Sequence, residues 1–348
     1  MLFFAELKRV LLNKKMLAAI FILLTLSLLL SWFQVDNNIR QKYGETEYKN
    51  YCEKWQGALT DAKKHEIEYE RFIIDTTLAA RQENELFFEQ GKLSLEEYED
   101  YLRAYFYADR NVAGFNRFYE QYLRVLNHSE DCDSTQPMLI YDSYWNELFT
   151  QYPSVLLLTL FGFVIVPYVT GDYTSDMWRI IKVAQKGMTK LVLIRISAVL
   201  VFCVTVQLLF SFTMFVFFEK MYILPGHGFS IQSIEIFQYQ ALSLSIIGYY
   251  IVLSMMRLVF SLVLCVLIYS LSLLIKNLIA AVGAVLSVFL LPFASQNFAP
   301  WLFLYSPLSV MSTIDILAHQ STHYILFITL IIYSIISGLV FFVAVRKL

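Results

Sequence analysis

MLAAIFILLTLSLLLSWF, residues 16–33, decides the fold: eighteen residues in a row carry no charge. As a helix at 1.5 Å per residue the stretch is about 27 Å long, enough to cross the hydrocarbon core of a bilayer with little tilt. Lys8, Arg9, Lys14 and Lys15 stand before it, so the positive-inside rule predicts a cytoplasmic N-terminus. The run is long for the apolar core of a signal peptide, and no small-x-small cleavage site follows Trp32. An uncleaved anchor is therefore expected.

Further apolar runs follow at 152–169, 191–218, 246–275, 278–294 and 324–345. Runs of about 18 residues or more read as membrane spans rather than as helices of a soluble core. The short loops between them agree on orientation. Arg179, Lys182, Lys186 and Lys190 follow the second run, Lys276 follows the fourth, and Arg346 and Lys347 follow the last. The two short loops on the opposite side hold only Lys220. The predicted fold class is all-α: a polytopic membrane protein of about six transmembrane helices with both termini cytoplasmic in the plasma membrane. Phe237–Ser261 is also compatible with a helix that lies at the outer surface before bending into the fourth span.

The polar sequence is concentrated in one place. The chain is 57% hydrophobic and only 16% charged, yet from Asp36 to Glu147 there are 23 acidic and 13 basic residues. A net-acidic water-exposed part excludes nucleic acid as its partner, because phosphate binding needs clustered Lys and Arg. The organisation expected is a cytoplasmic segment over 1–15, a first span over 16–33, an extracellular domain over 34–151, and the remaining membrane domain over 152–348.

Within the insert the hydrophobic spacing is helical. Ser94-Leu95-Glu96-Glu97 has the form of a capping box just after Gly91, a helix stop, which predicts two arms, Glu45–Gln90 and Ser94–Leu126. Gly114 is a candidate interruption of the second. Leu95, Tyr98, Leu102, Tyr105 and Phe106, continued by Phe115, Phe118, Tyr122 and Leu126, form a stripe that is read as the seam between the arms rather than as a ligand surface. Cys52 and Cys132 stand near the two ends of the insert in an oxidising compartment, so a disulfide between them is expected, worth about 4 kcal/mol in the chain-entropy model. Cys203 and Cys265 read as small apolar residues of the spans.

Chemistry within the chain is sparse. The sequence contains no phosphate loop, no His-Glu-x-x-His, no Cys-x-x-Cys and no Gly-x-Ser-x-Gly. His319 and His323 share helical spacing but are read as polar residues of the outer interface. Arg257 is the one clear ionisable residue well inside a span, and a late helix start would put it near the outer interface; a pathway role is the alternative. Arg195, near an inner end, can snorkel.

Phe4-Ala5-Glu6-Leu7-Lys8-Arg9-Val10-Leu11-Leu12-Asn13-Lys14-Lys15, running straight into the first span, resembles the opening of ABC-2 type transporter permeases. So do Gly171-Asp172-Tyr173-Thr174-Ser175-Asp176, Trp178-Arg179, Lys186-Gly187-Met188-Thr189-Lys190 and Arg195 after the second span, and Leu271–Asn277 at the turn between the fourth and fifth. The usual Gly-Thr of the family is replaced by Met177-Trp178. The resemblance implies an amphipathic elbow helix carrying Glu6, Lys8 and Arg9. It implies a coupling loop that docks on an ATPase, formed here by Asp172, Thr174, Asp176, Arg179, Lys182, Lys186, Gly187 and Lys190. It further implies that no cofactor is bound by this chain. ATP and Mg would be bound by a separate cytosolic ATPase subunit, a second permease subunit would complete the pathway, and lipid would surround it. The expected function is the permease subunit of an ABC exporter, not itself an enzyme. The alternatives are a membrane sensor or immunity protein that binds a peptide through its ectodomain, and an ion-coupled carrier. Tyr249, Tyr250, Trp301 and Tyr305 are expected near the outer ends, as an interfacial belt or an exit lining.

Overall fold

A computed structural model describes residues 2–11, 13–129, 137–174, 187–239, 244–294, 305–312 and 323–347. Thirteen helices carry the described chain: α1 (Leu2–Leu11), α2 (Lys14–Gln41), α3 (Glu45–Trp55), α4 (Asp61–Ala79), α5 (Arg81–Glu89), α6 (Leu95–Ser129), α7 (Ser143–Thr150), α8 (Ser154–Thr174), α9 (Gly187–Tyr222), α10 (Ile246–Ile275), α11 (Leu278–Ala294), α12 (Pro307–Ser312) and α13 (His323–Arg346). No β-sheet occurs among the described residues. The chain divides into a membrane unit (Met1–Trp32, Glu147–Ile223, Gly248–Leu348) and an insert unit (Phe33–Asn146, Leu224–Ile247).

In the membrane unit, five helical stretches among the described residues are long and apolar enough to cross a bilayer: Met16–Gln41, Ser143–Gly171, Lys190–Tyr222, Ile246–Ile275 and Tyr324–Arg346. The first and last bury little of themselves, whereas the middle three bury half or more and form the core. α11, 17 residues long and equally apolar, is shorter than these and packs on α8. The turn before α11 is the expected Lys276-Asn277. Lys276 takes a left-handed conformation (φ 59°), and Asn277 caps α11 by accepting from the Ala280 amide at 3.1 Å. α1 packs along α9.

The insert unit is built around an aromatic core. α3 and α4 pack on α6, burying Tyr48, Trp55, Ile67, Ile74, Phe115, Phe118 and Tyr122. Trp55 stacks on Phe118 with ring centroids 5.2 Å apart. The expected stripe is largely the seam: Phe115, Phe118 and Tyr122 are buried, and Tyr98 stacks on Phe88 of the first arm with ring centroids 4.2 Å apart, while Leu95 and Phe106 are exposed. Gly91 (φ 67°) ends the first arm as expected. The capping box also forms, with the Ser94 amide donating to Glu97 Oε2 at 2.9 Å and the Glu97 amide to Ser94 Oγ at 3.3 Å.

Three expectations for the insert are corrected. The arm over 45–90 is three helices: Gly57 (φ 99°) turns the chain out between α3 and α4 to exchange two backbone hydrogen bonds with Leu139, and α4 and α5 meet at Ala80. Gly114 does not interrupt α6. The segment 224–247, read from sequence as part of an outer loop leading into the fourth span, forms two 3₁₀ turns, Ile231–Ser233 and Glu235–Phe237, and belongs to the insert. The Met138 amide donates to Ser233 Oγ at 2.9 Å, Gln121 Nε2 to the Ile140 carbonyl at 2.8 Å, and Trp145 Nε1 to the Pro225 carbonyl at 2.7 Å. The insert unit is therefore discontinuous in sequence.

Candidate functional site

Two buried polar clusters lie in the membrane unit. The first surrounds Arg257, the twelfth residue of α10 and fully buried. The helix begins at Ile246, eleven residues before Arg257. Its Cζ lies 3.8 Å from the centre of the Tyr152 ring, and Nη2 donates to the Phe149 carbonyl at 3.5 Å, at the negative C-terminal end of α7. Gln207 of α9 donates to the Tyr152 hydroxyl and accepts from Ser261 Oγ at 3.2 Å. Tyr249 and Tyr250 are buried against Phe149, and the Tyr250 hydroxyl donates to the Ser211 carbonyl at 2.7 Å. The cluster therefore ties α9 and α10 to the chain entering α8 through groups that each cost energy to leave unmade in an apolar setting.

The second cluster joins α1, α8 and α9. Glu6, buried on the inner face of α1, pairs with Arg195 Nε at 3.1 Å and accepts from the Tyr168 hydroxyl at 2.7 Å. Arg9 lies 3.8 Å from the same carboxylate, with its guanidinium 5.3 Å from the Tyr168 ring centre. Arg195 does not snorkel to water; it is buried in this pair. The face of α1 that meets the protein is Glu6 and Val10, while Leu2, Phe4, Lys8 and Arg9 are exposed.

Half of the residues of the expected coupling loop fall outside the described residues: Asp176, Arg179, Lys182 and Lys186. Asp172 and Thr174 lie in the last turn of α8, Gly187 opens α9, and Lys190 is exposed in the first turn of α9. His319, Trp301 and Cys132 also lie outside the described residues. Among the described residues, no group of three or more His, Cys, Asp or Glu could hold a metal.

The insert has its own buried network. Asp142 accepts from the Tyr48 hydroxyl at 2.7 Å and from the Glu235 amide at 3.0 Å. Glu45 accepts from Arg117, from Tyr141 at 2.7 Å and from Ser143. Burial, then the Asp142 carboxylate, pushes the Tyr48 hydroxyl well above its ordinary range; burial, then Glu45, does the same to Tyr141. Cys52 is a buried free thiol, 3.8 Å from Gln121 Oε1, and burial followed by Asp142 raises it too.

Sequence reading missed Tyr152, Tyr168 and Gln207. Gln207 was visible as a lone amide in an apolar span; the two tyrosines carried no signal beyond span ends. No protein-family model matches the chain, and neither a curated protein nor a solved structure does.

Proposed function

We propose that this chain is the membrane-spanning subunit of an ATP-driven exporter of the ABC-2 type, with six spans, both termini cytoplasmic and the insert outside the cell. The observation that carries the reading is the buried Glu6–Arg195 pair. It fastens a separate amphipathic helix, α1, to α9 about two turns from where that helix emerges from the 175–186 stretch. An ATPase pressing on that stretch and on α1 would thus act on one helix, and the Arg257 cluster would pass the displacement to α10. ATP and Mg would be bound by the partner, and a second permease subunit would complete the pathway.

Affinity purification of the intact protein in mild detergent tests this. A stoichiometric cytosolic ATPase among the co-purifying chains supports it, and its absence under conditions that preserve such complexes counts against it. Replacing Asp172 and Arg179 together should uncouple the ATPase while leaving the protein folded. The fully buried Arg257 favours a second reading, an ion-coupled carrier. Transport abolished by collapsing the proton gradient, with ATP intact, would select it.

A further inference from the structure

The insert unit carries a cleft of about 690 Å³ where α2 ends and α3 begins. Arg40 and Lys42 enter it from the last turn of α2 and the residue that follows, Lys49 from α3 and Arg110 from α6, against two carboxylates, Glu45 and Glu47. Both carboxylates are already engaged: Glu45 by Arg117, Tyr141 and Ser143, and Glu47 by Arg110 at 3.2 Å. Arg40 rests on Asp36 at 3.0 Å and Lys49 on Glu53 at 3.7 Å. Such exposed pairs contribute little and give way to an anion that offers better geometry. Lys42 makes no ion pair among the described residues. The Lys49 ammonium lies 5.8 and 5.6 Å from the ring centres of Tyr141 and Tyr144, a fixed positive charge backed by aromatic surface.

The position of the cleft along the chain says what anion it would meet. The apolar part of α2 ends at Phe33, and the helix continues unbroken to Gln41. Arg40 is therefore about 10 Å along the axis beyond the last strongly apolar turn. Headgroups extend about 5–7 Å from the hydrocarbon edge. Helical side chains lean towards their own N-terminus, here towards the bilayer, and Arg and Lys stems snorkel along it. The Arg40–Asp36 pair, one turn back, shows that lean directly. Tyr43, 81% exposed at the mouth, is the residue type that settles at headgroup level.

We propose that this cleft binds the phosphate of an anionic phospholipid headgroup from the leaflet on the insert's side. The proposal stands independently of what the protein transports.

The test uses the full-length protein in neutral detergent, with dihexanoyl phosphatidylglycerol as probe and binding followed by thermophoresis of dye-labelled protein. The expected result is saturable binding, weakened about five-fold by Lys42→Gln and about 25-fold when Arg40→Gln is added. Dihexanoyl phosphatidylcholine should bind more weakly than phosphatidylglycerol. Equal binding by wild type and by folded Lys42→Gln overturns the site; that single change at an exposed position reads out even if the double variant fails to fold. sn-Glycerol 3-phosphate carries the headgroup chemistry without the chains. Binding of this soluble phosphate as tightly as the lipid would overturn the lipid assignment.

Discussion

Gly114 and Gly44 meet where α6 crosses the start of α3: a Cβ on Gly114 would lie 2.6 Å from the Gly44 carbonyl oxygen and 2.6 Å from the Tyr48 amide nitrogen. Those are backbone atoms with no rotamer to change, so the helices can approach only if residue 114 has no side chain. Gly114→Ala should destabilise the protein by about 1–3 kcal/mol, as overpacking does. Gly171→Ala, in α8 with nothing within 4 Å of its Cβ, is the control expected to leave stability unchanged or slightly raised. Denaturation midpoints in detergent read both.

Glu6→Gln should cost more than an exposed ion pair would suggest. Removing one member of a buried pair leaves the other charge uncompensated, at about 3–5 kcal/mol. Arg195→Gln should cost a similar amount, and the double variant no more than either single one. A double-mutant cycle that came out additive would show that the pair is not energetically coupled.

Tyr152 has two roles that can be separated. Tyr152→Phe keeps the ring beside Arg257 and loses only the hydroxyl bonded to Gln207, at about 1–3 kcal/mol. Tyr152→Leu should lose roughly a further 1–2 kcal/mol of desolvated cation–π attraction. Equal stability of the two variants would remove the ring–guanidinium contact from the account.

Cys52 provides a pH prediction. Burial and Asp142 hold the folded thiol well above the ordinary value of about 8.5. Its contribution to stability is fully present below the unfolded value and is lost as pH rises through the folded one. Folded protein alkylated at a pH of about 9, where an ordinary thiol is largely ionised, should leave Cys52 unmodified. Unfolding without reductant should make it react. Peptide mapping that found it unreactive even then would place it in a disulfide.

The parts of the fold that could be read in the sequence were those whose cause is local. Uncharged runs such as 16–33, the Gly91–Ser94 stop and start, and the Lys276-Asn277 turn each depend on neighbours in the chain, and each forms where expected. The parts that could not be read depend on partners far away in sequence. Gly57 breaks the first arm because Leu139 pairs with it, and Glu6 is buried because Arg195 and Tyr168 meet it across more than 160 positions. The resemblance implied a helix before the first span, and α1 is one, yet the sequence could not reveal that a carboxylate would be its inner anchor. Arg257 stood out as chemistry; that Tyr152, from the link between α7 and α8, and Gln207, from α9, would meet it did not.

The discontinuity of the insert sets a timetable for its assembly. Residues 33–146 leave the ribosome first, but the amide of Glu235 that binds Asp142 and the hydroxyl of Ser233 that binds Met138 lie in a segment made only after α8 and α9. At about 5–20 residues per second this delay lasts several seconds or more. Through that interval Asp142 and Gln121 lack part of their final bonding, so the half-built domain offers surface to chaperones and proteases that the finished one closes. A secreted fragment cut at residues 33 and 146 would remain in that state permanently. A stable soluble version would need 224–247 spliced back on.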